Sequence, residues 1–279
     1  MNLLVDPSWL AEHLDEVVVV DVRWSIGGGT AEATRSFEAG HIPGAVFLDV
    51  DRDLAGDPAT GPGRHPLPSP DTFARTLGAV GMGADVPIVA YDNAGGSLAA
   101  RLWWMLDAIS RRVALLDGGL GAWPGSIETG LGVPRAPVAV KPRPWPGDRL
   151  VDAGGVAAAL LAGTPVMDAR APERYRGEVE PLDPVAGHVP GARSVPWAGN
   201  LGADGRFQTR DDLRDRYRAL GVETGAEAIA QCGSGITACH DLFAMRLAGL
   251  ADARLYVGSW SDWVRDPTHA VAAGPEPGP

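Results

Sequence analysis

The chain has 279 residues, of which 45% are hydrophobic, and it carries a formal net charge of -11. This length predicts two domains of ordinary size, each with a full hydrophobic core. The negative charge argues against nucleic-acid binding and against adhesion to anionic membranes, so an anionic substrate would require a local positive site.

The N-terminal residues lack the basic start and long apolar segment of a signal peptide, and no apolar run reaches transmembrane length. The chain contains two cysteines, Cys232 and Cys239, which argues against a disulfide framework and fits a reducing compartment. A cytoplasmic location is therefore expected.

In chain order, the first half alternates between helix and strand patterns. Asp6 followed by Pro7 is typical of a helix N-terminus and predicts a short helix over 6–14. The β-branched run over 17–22 predicts a strand that is buried on both faces of a parallel sheet. The remaining predicted elements of this half are a loop and strand within 40–51, an irregular loop over 52–70, a helix over 71–80, a strand over 86–91, a helix over 97–109 and a strand over 113–116.

The second half repeats the same order. The motif HIPGA at His41 returns as HVPGA at His188, and Asp92, which follows a predicted strand, has its counterpart in Cys232. A repeat of this length indicates duplicated domains. The predicted fold class is therefore α/β, with two tandem domains that each contain a parallel sheet with helices on both faces.

The predicted boundaries follow from this repeat and from the proline content. A first domain is expected over 1–133 and a second over 150–270. The segment 134–149 between them is rich in proline and predicts a semi-rigid extended linker. The last residues, 271–279, are expected to form a flexible tail.

Cys232 occupies a tight turn between a predicted strand over 228–230 and a predicted helix over 237–245. The first turn of a helix leaves backbone N–H groups unpaired and carries partial positive charge, so it stabilises an anion. Gly233 and Gly235 allow the backbone to wrap closely around the sulfur. A thiolate nucleophile is therefore predicted at Cys232, whereas Cys239 is interpreted as a buried core residue.

The counterpart of this cysteine in the first domain, Asp92, predicts a different role. A carboxylate accepts hydrogen bonds but cannot act as a soft sulfur nucleophile. Ligands of parallel α/β sheets bind beyond the carboxyl ends of the strands, where both residues are expected. The second domain is thus predicted to be catalytic and the first to be an inactive scaffold.

Several motifs together resemble those of the two-domain rhodanese-type sulfurtransferases: HIPGA, HVPGA, DGGLGAW, GSWSDW, ERYRGEVE and CGSGITACH. The resemblance covers nearly the whole chain and implies two rhodanese-like domains, with a persulfide on Cys232 during turnover. The loop CGSG followed by Ile236 and Thr237 looks like the 3-mercaptopyruvate branch, because the thiosulfate branch typically places basic residues after the cysteine. The sequence gives no sign of a metal or an organic cofactor.

The implied reaction moves sulfur from a small anionic donor, 3-mercaptopyruvate, through the Cys232 persulfide to cyanide or a thiol, with release of pyruvate. The acceptor is expected to be a small thiol or a thioredoxin-like protein; neither nucleic acid nor membrane is an expected partner. The alternatives are a thiosulfate sulfurtransferase and a persulfide carrier to a partner protein. Cysteine phosphatases share this type of fold, but their Cys-x5-Arg loop is missing because Ala238 stands at the arginine position.

The resemblance also implies a hydrogen-bonding relay of Ser234, His65 and Asp51 that protonates the departing enolate. Each position has an alternative interpretation. Ser234 could only cap the helix, and His65 could be a solvated loop histidine. Asp49 competes with Asp51, since alternate strand residues face opposite sides of a sheet, and Asp51 is preferred.

Arg174 in ERYRGE is the candidate for binding the substrate carboxylate, because guanidinium groups bind planar oxyanions with paired hydrogen bonds. The alternative is a surface ion pair with Glu173 or Glu178, and Arg176 is the second choice. Similar proteins often supply another arginine about nine residues later, where this chain has Asp183. The remaining candidate donor-binding positions are in the cysteine loop: Gly233, Gly235, Ile236 and Thr237.

Overall fold

The computed structural model describes residues 1–25, 27–224, 228–250 and 253–278. The chain divides into two compact units. Unit 1 consists of Met1–Gly56, Leu67–Pro146 and Asp204–Arg206, and unit 2 consists of Asp57–Pro66, Gly147–Ala203 and Phe207–Pro279.

The strands of unit 1 within the described residues are β1 (Leu4–Val5), β2 (Val18–Arg23), β3 (Val46–Asp49), β4 (Ile88–Tyr91) and β5 (Val113–Leu116). Its helices are α1 (Pro7–Glu12), α2 (Gly29–Ala39), α3 (Val50–Asp53), α4 (Pro70–Ala79) and α5 (Ala99–Ala108), with 3-10 turns at Leu14–Glu16 and Gly119–Ala122.

The strands of unit 2 within the described residues are β6 (Leu150–Val151), β7 (Val166–Asp168), β8 (Arg193–Ser194), β9 (Ile229–Gln231) and β10 (Arg254–Tyr256). Its helices are α6 (Ala153–Leu161), α7 (Pro172–Tyr175), α8 (Arg210–Arg218), α9 (Ala238–Leu247) and α10 (Ser259–Trp263), with 3-10 turns at Gly147–Arg149 and Trp197–Asn200. None of the described helices is both long and apolar enough to cross a lipid bilayer.

The two sheets have the same topology. The strand order is β1-β5-β4-β2-β3 in unit 1 and β6-β10-β9-β7-β8 in unit 2, and every described strand pair is parallel. All six residues of β2 are buried, because helices and loops cover both faces of the sheet. The predicted α/β fold with two duplicated domains is confirmed.

Each unit ends a central strand with the same buried ion pair. In unit 1 the Arg23 guanidinium donates to Asp21 at 2.7 Å, and in unit 2 the Arg170 guanidinium donates to Asp168 at 2.7 Å. All four side chains are at most 4% exposed. Removal of one partner from such a pair typically costs about 3–5 kcal/mol, because the other charge stays buried and unpaired.

The repeated histidines are structural. The Nδ1 atom of His41 lies 3.0 Å from the carbonyl oxygen of Phe37, and that of His188 lies 2.8 Å from the carbonyl oxygen of Tyr175. Each imidazole also stacks on the ring of the same neighbour, Phe37 or Tyr175. Both histidines are fully buried and hold the loop that leads into the edge strand of each sheet.

Helix α2 was not predicted from the sequence. It buries only Ala33 and Phe37, so its apolar periodicity is weak, and it follows a glycine run whose Gly27 and Gly29 have positive φ. The helix is stabilised by the packing of Phe37 against Phe47 of β3, which is a tertiary contact.

The units are less continuous than the predicted domains, because Asp57–Pro66 belongs to unit 2 and Asp204–Arg206 to unit 1. The linker lies along unit 1, where Trp145 donates from Nε1 to the carbonyl oxygen of Pro68 at 2.8 Å.

The C-terminal segment differs from the flexible tail that was predicted. Ala272 pairs with His188, and the carbonyl oxygen of Pro277 accepts from the N–H of Gly191 at 2.7 Å. Residues 271–278 are thus hydrogen-bonded within unit 2, and Pro279 lies outside the described residues.

A buried polar cluster connects α8 and α9. Asn200 donates from Nδ2 to Oδ1 of Asp241 at 2.7 Å, and the Tyr217 hydroxyl donates to Oδ1 of Asn200 at 2.9 Å. Asp241 is fully buried, and within the described residues its Oδ2 has no hydrogen-bond partner. Burial raises the pKa of Asp241 to about 7, although the Asn200 hydrogen bond and Arg216 oppose this shift.

This shift predicts how stability depends on pH. Between the ordinary value of 3.8 and about 7, the folded state keeps a proton on Asp241 that the unfolded state has lost. The contribution of this group to stability therefore falls as pH rises through that window, by up to ~1.4 kcal/mol per pH unit. Asp241→Asn should remove this slope, as measured by urea unfolding from about pH 5 to about pH 8. Equal slopes in the two proteins would contradict the shift.

Candidate active site

Cys232 is the first residue after β9 and begins the turn into α9. It is only 2% exposed. Gly235 in the same turn has a φ of 75°, and a Cβ at this position would lie 2.5 Å from the carbonyl oxygen of Val257. The turn therefore requires glycine at this position for both backbone conformation and space.

The segment at α10 fixes the cysteine loop from the side. The N–H of Cys232 donates to Oγ of Ser259 at 3.0 Å, and the N–H of Trp260 donates to the carbonyl oxygen of Cys232 at 3.0 Å. The N–H of Ser261 donates to the carbonyl oxygen of Gly233 at 2.9 Å. The GSWSDW motif therefore holds the cysteine loop in place through these three hydrogen bonds.

The sulfur lies against backbone amides. The N–H of Gly235 donates to Sγ of Cys232 at 3.1 Å. Within the described part of the chain, the N–H groups of Ser234, Ile236 and Ala238 donate to no backbone carbonyl. Open amide groups at the start of a helix favour an anion, here a thiolate or a persulfide.

Unit 1 shows how such a turn holds an anion. Asp92 follows β4 as Cys232 follows β9, and Gly95 has a φ of 67°, close to that of Gly235. The buried carboxylate of Asp92 accepts four backbone N–H bonds of 2.8–2.9 Å, from Ala94, Gly96, Leu98 and Ala99. The amides of this turn are occupied by the protein's own carboxylate, which supports an inactive unit 1.

His65 contacts the cysteine loop directly. Its Nδ1 lies 2.6 Å from Oγ of Ser234, and both residues are buried. The alternative of a solvated loop histidine is therefore wrong. Ser234 does not cap α9 either, since the residue before this helix is Thr237 and no side chain caps it.

The loop that carries this histidine, Asp57–Pro66, is held on unit 2 by Arg265. Its guanidinium donates to the carbonyl oxygens of Pro58, Gly61 and Gly63 at 2.7–3.0 Å. Gly63 has a φ of 69°, and a Cβ there would collide with the carbonyl oxygen of Gly258. The loop thus packs against the same α10 segment that supports Cys232.

Arg174 is paired with other residues than those weighed from the sequence. It donates from Nη2 to Glu180 at 2.6 Å and to Asp183 at 3.3 Å. Arg176 instead pairs with Glu178 through two bonds of 2.7 and 2.8 Å. Arg174 therefore faces inward, whereas Arg176 belongs to an exposed ion pair.

Two guanidinium groups lie over the cysteine loop. The position of a Cβ on Gly233 is 3.3 Å from Nη1 of Arg174 and 3.3 Å from Nη2 of Arg64. Arg64 also forms an ion pair with Asp183. The loop itself lacks basic side chains, but positive charge reaches it from two other segments.

These residues belong to a chain of alternating charges. Arg170 pairs with Asp168 and Glu180, Glu180 with Arg174, and Asp183 with Arg174 and Arg64. Burial alone would lower the pKa of Arg170, but the carboxylates of Asp168 and Glu180 raise it, so the guanidinium stays protonated. Its charge also interacts with Cys232.

Asp51 does not lie on a strand, so strand alternation does not distinguish it from Asp49. It lies in the short helix α3 of unit 1 and accepts from Nε1 of Trp24 at 3.0 Å. Asp49 is fully buried and caps that helix by accepting from the N–H of Arg52 at 2.8 Å. Asp49 is thus structural, and the participation of Asp51 in the relay stays a prediction.

The sequence profile of the Rhodanese-like domain matches residues 6–125 and 152–266. The chain belongs to the rhodanese family. The first matched segment contains the amide-lined turn around Asp92, and the second contains the one around Cys232.

Relatives of this rhodanese include named sulfurtransferases. A Pseudomonas aeruginosa protein named a probable 3-mercaptopyruvate sulfurtransferase is 44% identical over 97% of this chain and 98% of its own length. A Mycobacterium tuberculosis protein, provisionally named a thiosulfate sulfurtransferase, is 40% identical over 93% of this chain and 92% of its own. The crystal structure of a 3-mercaptopyruvate sulfotransferase from Escherichia coli matches with a TM-score of 0.80 and 32% identity, covering 94% of this chain and all of that one.

Three site residues of this rhodanese were missed from the sequence: Arg64, Glu180 and Arg265. The available signals were the position of Arg64 directly before His65 and the position of Glu180 at the end of the ERYRGEVE motif. Arg265 gave no such signal, because it acts through contacts with residues about 200 positions earlier in the chain. Among the described residues, no group of histidine, cysteine and acidic side chains is arranged to hold a metal ion.

The comparison of the two turns generates a prediction about stability. Cys232→Asp should place a carboxylate among open amides, as Asp92 does in unit 1. It should raise the free energy of unfolding by about 1–3 kcal/mol relative to Cys232→Ala, because hydrogen bonds to a charged group are strong. Urea unfolding of both variants measures this difference. Lower stability of Cys232→Asp would mean that the turn of unit 2 does not bind an anion.

Proposed function

We propose that this rhodanese transfers sulfur from 3-mercaptopyruvate, through a persulfide on Cys232, to a thiol or cyanide acceptor and releases pyruvate. The relatives named 3-mercaptopyruvate sulfurtransferase, at up to 44% identity over nearly the whole chain, support this donor. The observation that supports this donor most strongly is the 2.6 Å contact between His65 and Ser234, because release of pyruvate requires a proton donor beside the nucleophile.

In the first half-reaction, the Cys232 thiolate attacks the donor sulfur. A sulfur–sulfur bond forms, the carbon–sulfur bond of the donor breaks, and its electron pair leaves on carbon as the enolate of pyruvate. The enolate takes one proton to become pyruvate, and the new persulfide loses the proton that the donor thiol carried. The sulfane sulfur is thereby oxidised relative to the thiol, and the carbon is reduced.

The Ser234 hydroxyl, hydrogen-bonded to His65, is the proposed proton donor to the enolate. A donor whose proton is replaced through an imidazole suits this step, because the pKa of histidine lies near the working pH. Asp51 is proposed as the third member of the relay, as the family resemblance implies.

The persulfide anion is proposed to lie among the loop amides from Gly233 to Ala238. Gly235 already donates to the sulfur at 3.1 Å. The carboxylate of Asp92, with four amide bonds in the equivalent turn, supports the capacity of this turn to hold a full negative charge. Backbone donors need no reorganisation when charge develops, which favours the charged intermediate.

In the second half-reaction, a thiol acceptor attacks the outer sulfur of the persulfide. The new bond joins the acceptor to the sulfane sulfur, the bond to Cys232 breaks, and the cysteine leaves as a thiolate. The thiol proton remains with the acceptor persulfide. With cyanide as acceptor the product is thiocyanate and no proton is needed. The acceptor in the cell is proposed to be a small thiol or a thioredoxin-like protein in the cytoplasm, where two unpaired cysteines stay reduced.

Arg174 is proposed to bind the donor carboxylate. Its Nη1 makes no hydrogen bond within the described part of the chain and lies over Gly233 of the cysteine loop. Planar pairing of guanidinium with carboxylate then orients the donor sulfur toward Cys232.

Thiosulfate is the second candidate donor, and one observation favours it. The sequence argument against thiosulfate considered only the residues that follow Cys232, whereas Arg64 and Arg174 from other segments lie over Gly233. Both guanidinium groups are paired with Asp183, which reduces their effect on a second anion. The Ser234–His65 pair has no role with thiosulfate, because sulfite leaves without protonation at carbon, so 3-mercaptopyruvate remains the proposed donor.

The assignment of the nucleophile predicts opposite outcomes for the two cysteines. Cys232→Ser should abolish sulfur transfer and leave the fold intact, because oxygen cannot form the persulfide. Cys239→Ser should retain activity, since its hydroxyl replaces the thiol that donates to the carbonyl oxygen of Gly235. Mass spectrometry of the donor-treated proteins should find the added sulfur on Cys232. An active Cys232→Ser protein would refute the assignment.

The proton relay predicts a donor-dependent effect. Ser234→Ala should lower kcat on 3-mercaptopyruvate by about 100-fold, because it removes the proposed proton donor, and should spare any reaction with thiosulfate. The wild-type kcat/KM should be higher for 3-mercaptopyruvate. Steady-state kinetics with both donors and one acceptor measure these values. If thiosulfate is the better donor and Ser234→Ala is silent on both, the generic sulfurtransferase assignment alone stands.

A further inference from the structure

Arg64 stands between two parts of the site. Its backbone N–H donates to Oγ of Ser261 at 2.9 Å, on the α10 segment that supports the cysteine loop. The next residue is His65, which contacts Ser234. The backbone of Arg64 is therefore held against the segment that supports Cys232.

The side chain of Arg64 points to the cysteine loop. Its Nη2 lies 3.3 Å from the Cβ position of Gly233, as does Nη1 of Arg174. Gly233 directly follows Cys232, and the absence of a side chain there allows both guanidinium groups to approach the loop this closely. A residue with a side chain here would crowd both groups.

Asp183 aligns the two arginines. Its carboxylate is 3% exposed. Oδ1 accepts from Nη1 of Arg64, and Oδ2 accepts from Nη2 of Arg174 at 3.3 Å and from Nη2 of Arg64 at 3.5 Å. A buried carboxylate shared in this way orients both guanidinium groups without using all of their donors, since each guanidinium has five N–H groups. Asp183 itself cannot bind an anion.

We propose that Arg64 binds the anionic group of the sulfur donor together with Arg174, so that Asp57–Pro66 is a donor-binding loop as well as the carrier of His65. This inference rests on the proposed function for the identity of the donor. The ligand it requires is a small oxyanion, a carboxylate or the sulfonate-like end of thiosulfate, that reaches across Gly233. The side chain of Arg64 is 26% exposed, so this oxyanion can approach it from solvent.

A purely structural role for Arg64 makes a different prediction. If its ion pair with Asp183 served only to place His65, loss of the side chain would lower kcat through the relay and leave donor affinity unchanged. A binding role raises KM and weakens inhibition by pyruvate, because pyruvate keeps the carboxylate but has no sulfur to transfer.

The test compares wild type, Arg64→Ala, Arg64→Lys and the control Arg176→Ala, whose arginine pairs with exposed Glu178. Each protein is assayed for kcat and KM with 3-mercaptopyruvate and with thiosulfate, and for the inhibition constant of pyruvate. For Arg64→Ala, KM and the pyruvate inhibition constant should both rise about 10- to 100-fold, with kcat changed much less. Arg64→Lys should be intermediate, because it keeps the charge and loses the planar fork. Arg176→Ala should match wild type.

The outcomes separate this inference from the proposed function. If wild type uses 3-mercaptopyruvate and Arg64→Ala keeps the wild-type KM and pyruvate inhibition, or loses only kcat, the binding role is overturned and the function stands. If wild type uses only thiosulfate, the proposed donor fails, and a raised KM for thiosulfate in Arg64→Ala still supports the binding role. If Arg64→Ala has a lowered thermal midpoint, the Arg64→Lys variant is used to decide instead. A wild-type KM in Arg64→Lys would overturn the proposed binding of the donor by the planar guanidinium group.

Discussion

The two equivalent turns of this protein share one constraint, which is that a negative charge buried at the end of a parallel strand requires backbone N–H donors. Burial of an anion is costly unless several donors are already in place. The turn after β9 provides them because Gly235 permits a left-handed backbone and because α10 holds the turn from the side. In the equivalent turn after β4, the carboxylate of Asp92 accepts from such N–H groups. The duplicated units therefore differ at this position, because one has a carboxylate there and the other has a thiol.

Beside this turn, charge is arranged in an alternating chain rather than as a positive patch. Six side chains form successive ion pairs, and each neutralises its neighbours in space: Asp168, Arg170, Glu180, Arg174, Asp183 and Arg64. Such an arrangement orients the guanidinium groups in a chain with a net charge of -11. A site of this kind recognises a small oxyanion by the directions of its donors more than by a strong field, which suits a substrate that must leave again as pyruvate.

The loop Asp57–Pro66 belongs to unit 2, although its residues precede β4 of unit 1 in the chain. This is why the loop enters the catalytic proposal. Arg265 fastens this loop through three carbonyl oxygens, and Gly63 allows its close approach to Gly258. As a result, His65 and Arg64 reach the cysteine loop from a distant part of the chain. The proposed relay and the proposed donor-binding arginine thus share one anchor.

The sequence by itself determined the duplicated α/β fold and the equivalent positions of Asp92 and Cys232, because these depend on local patterns: β-branched strands, glycines in a tight turn and a repeat in register. It did not predict α2, whose helix depends on the packing of Phe37, or the attachment of 271–278 to unit 2. Only the tertiary structure decided that Arg64 lies over Gly233, that Asp183 joins it to Arg174, and that Asp51 lies on a helix rather than a strand. Those contacts link residues far apart in the chain, and no local periodicity or propensity encodes the side-chain directions that create them.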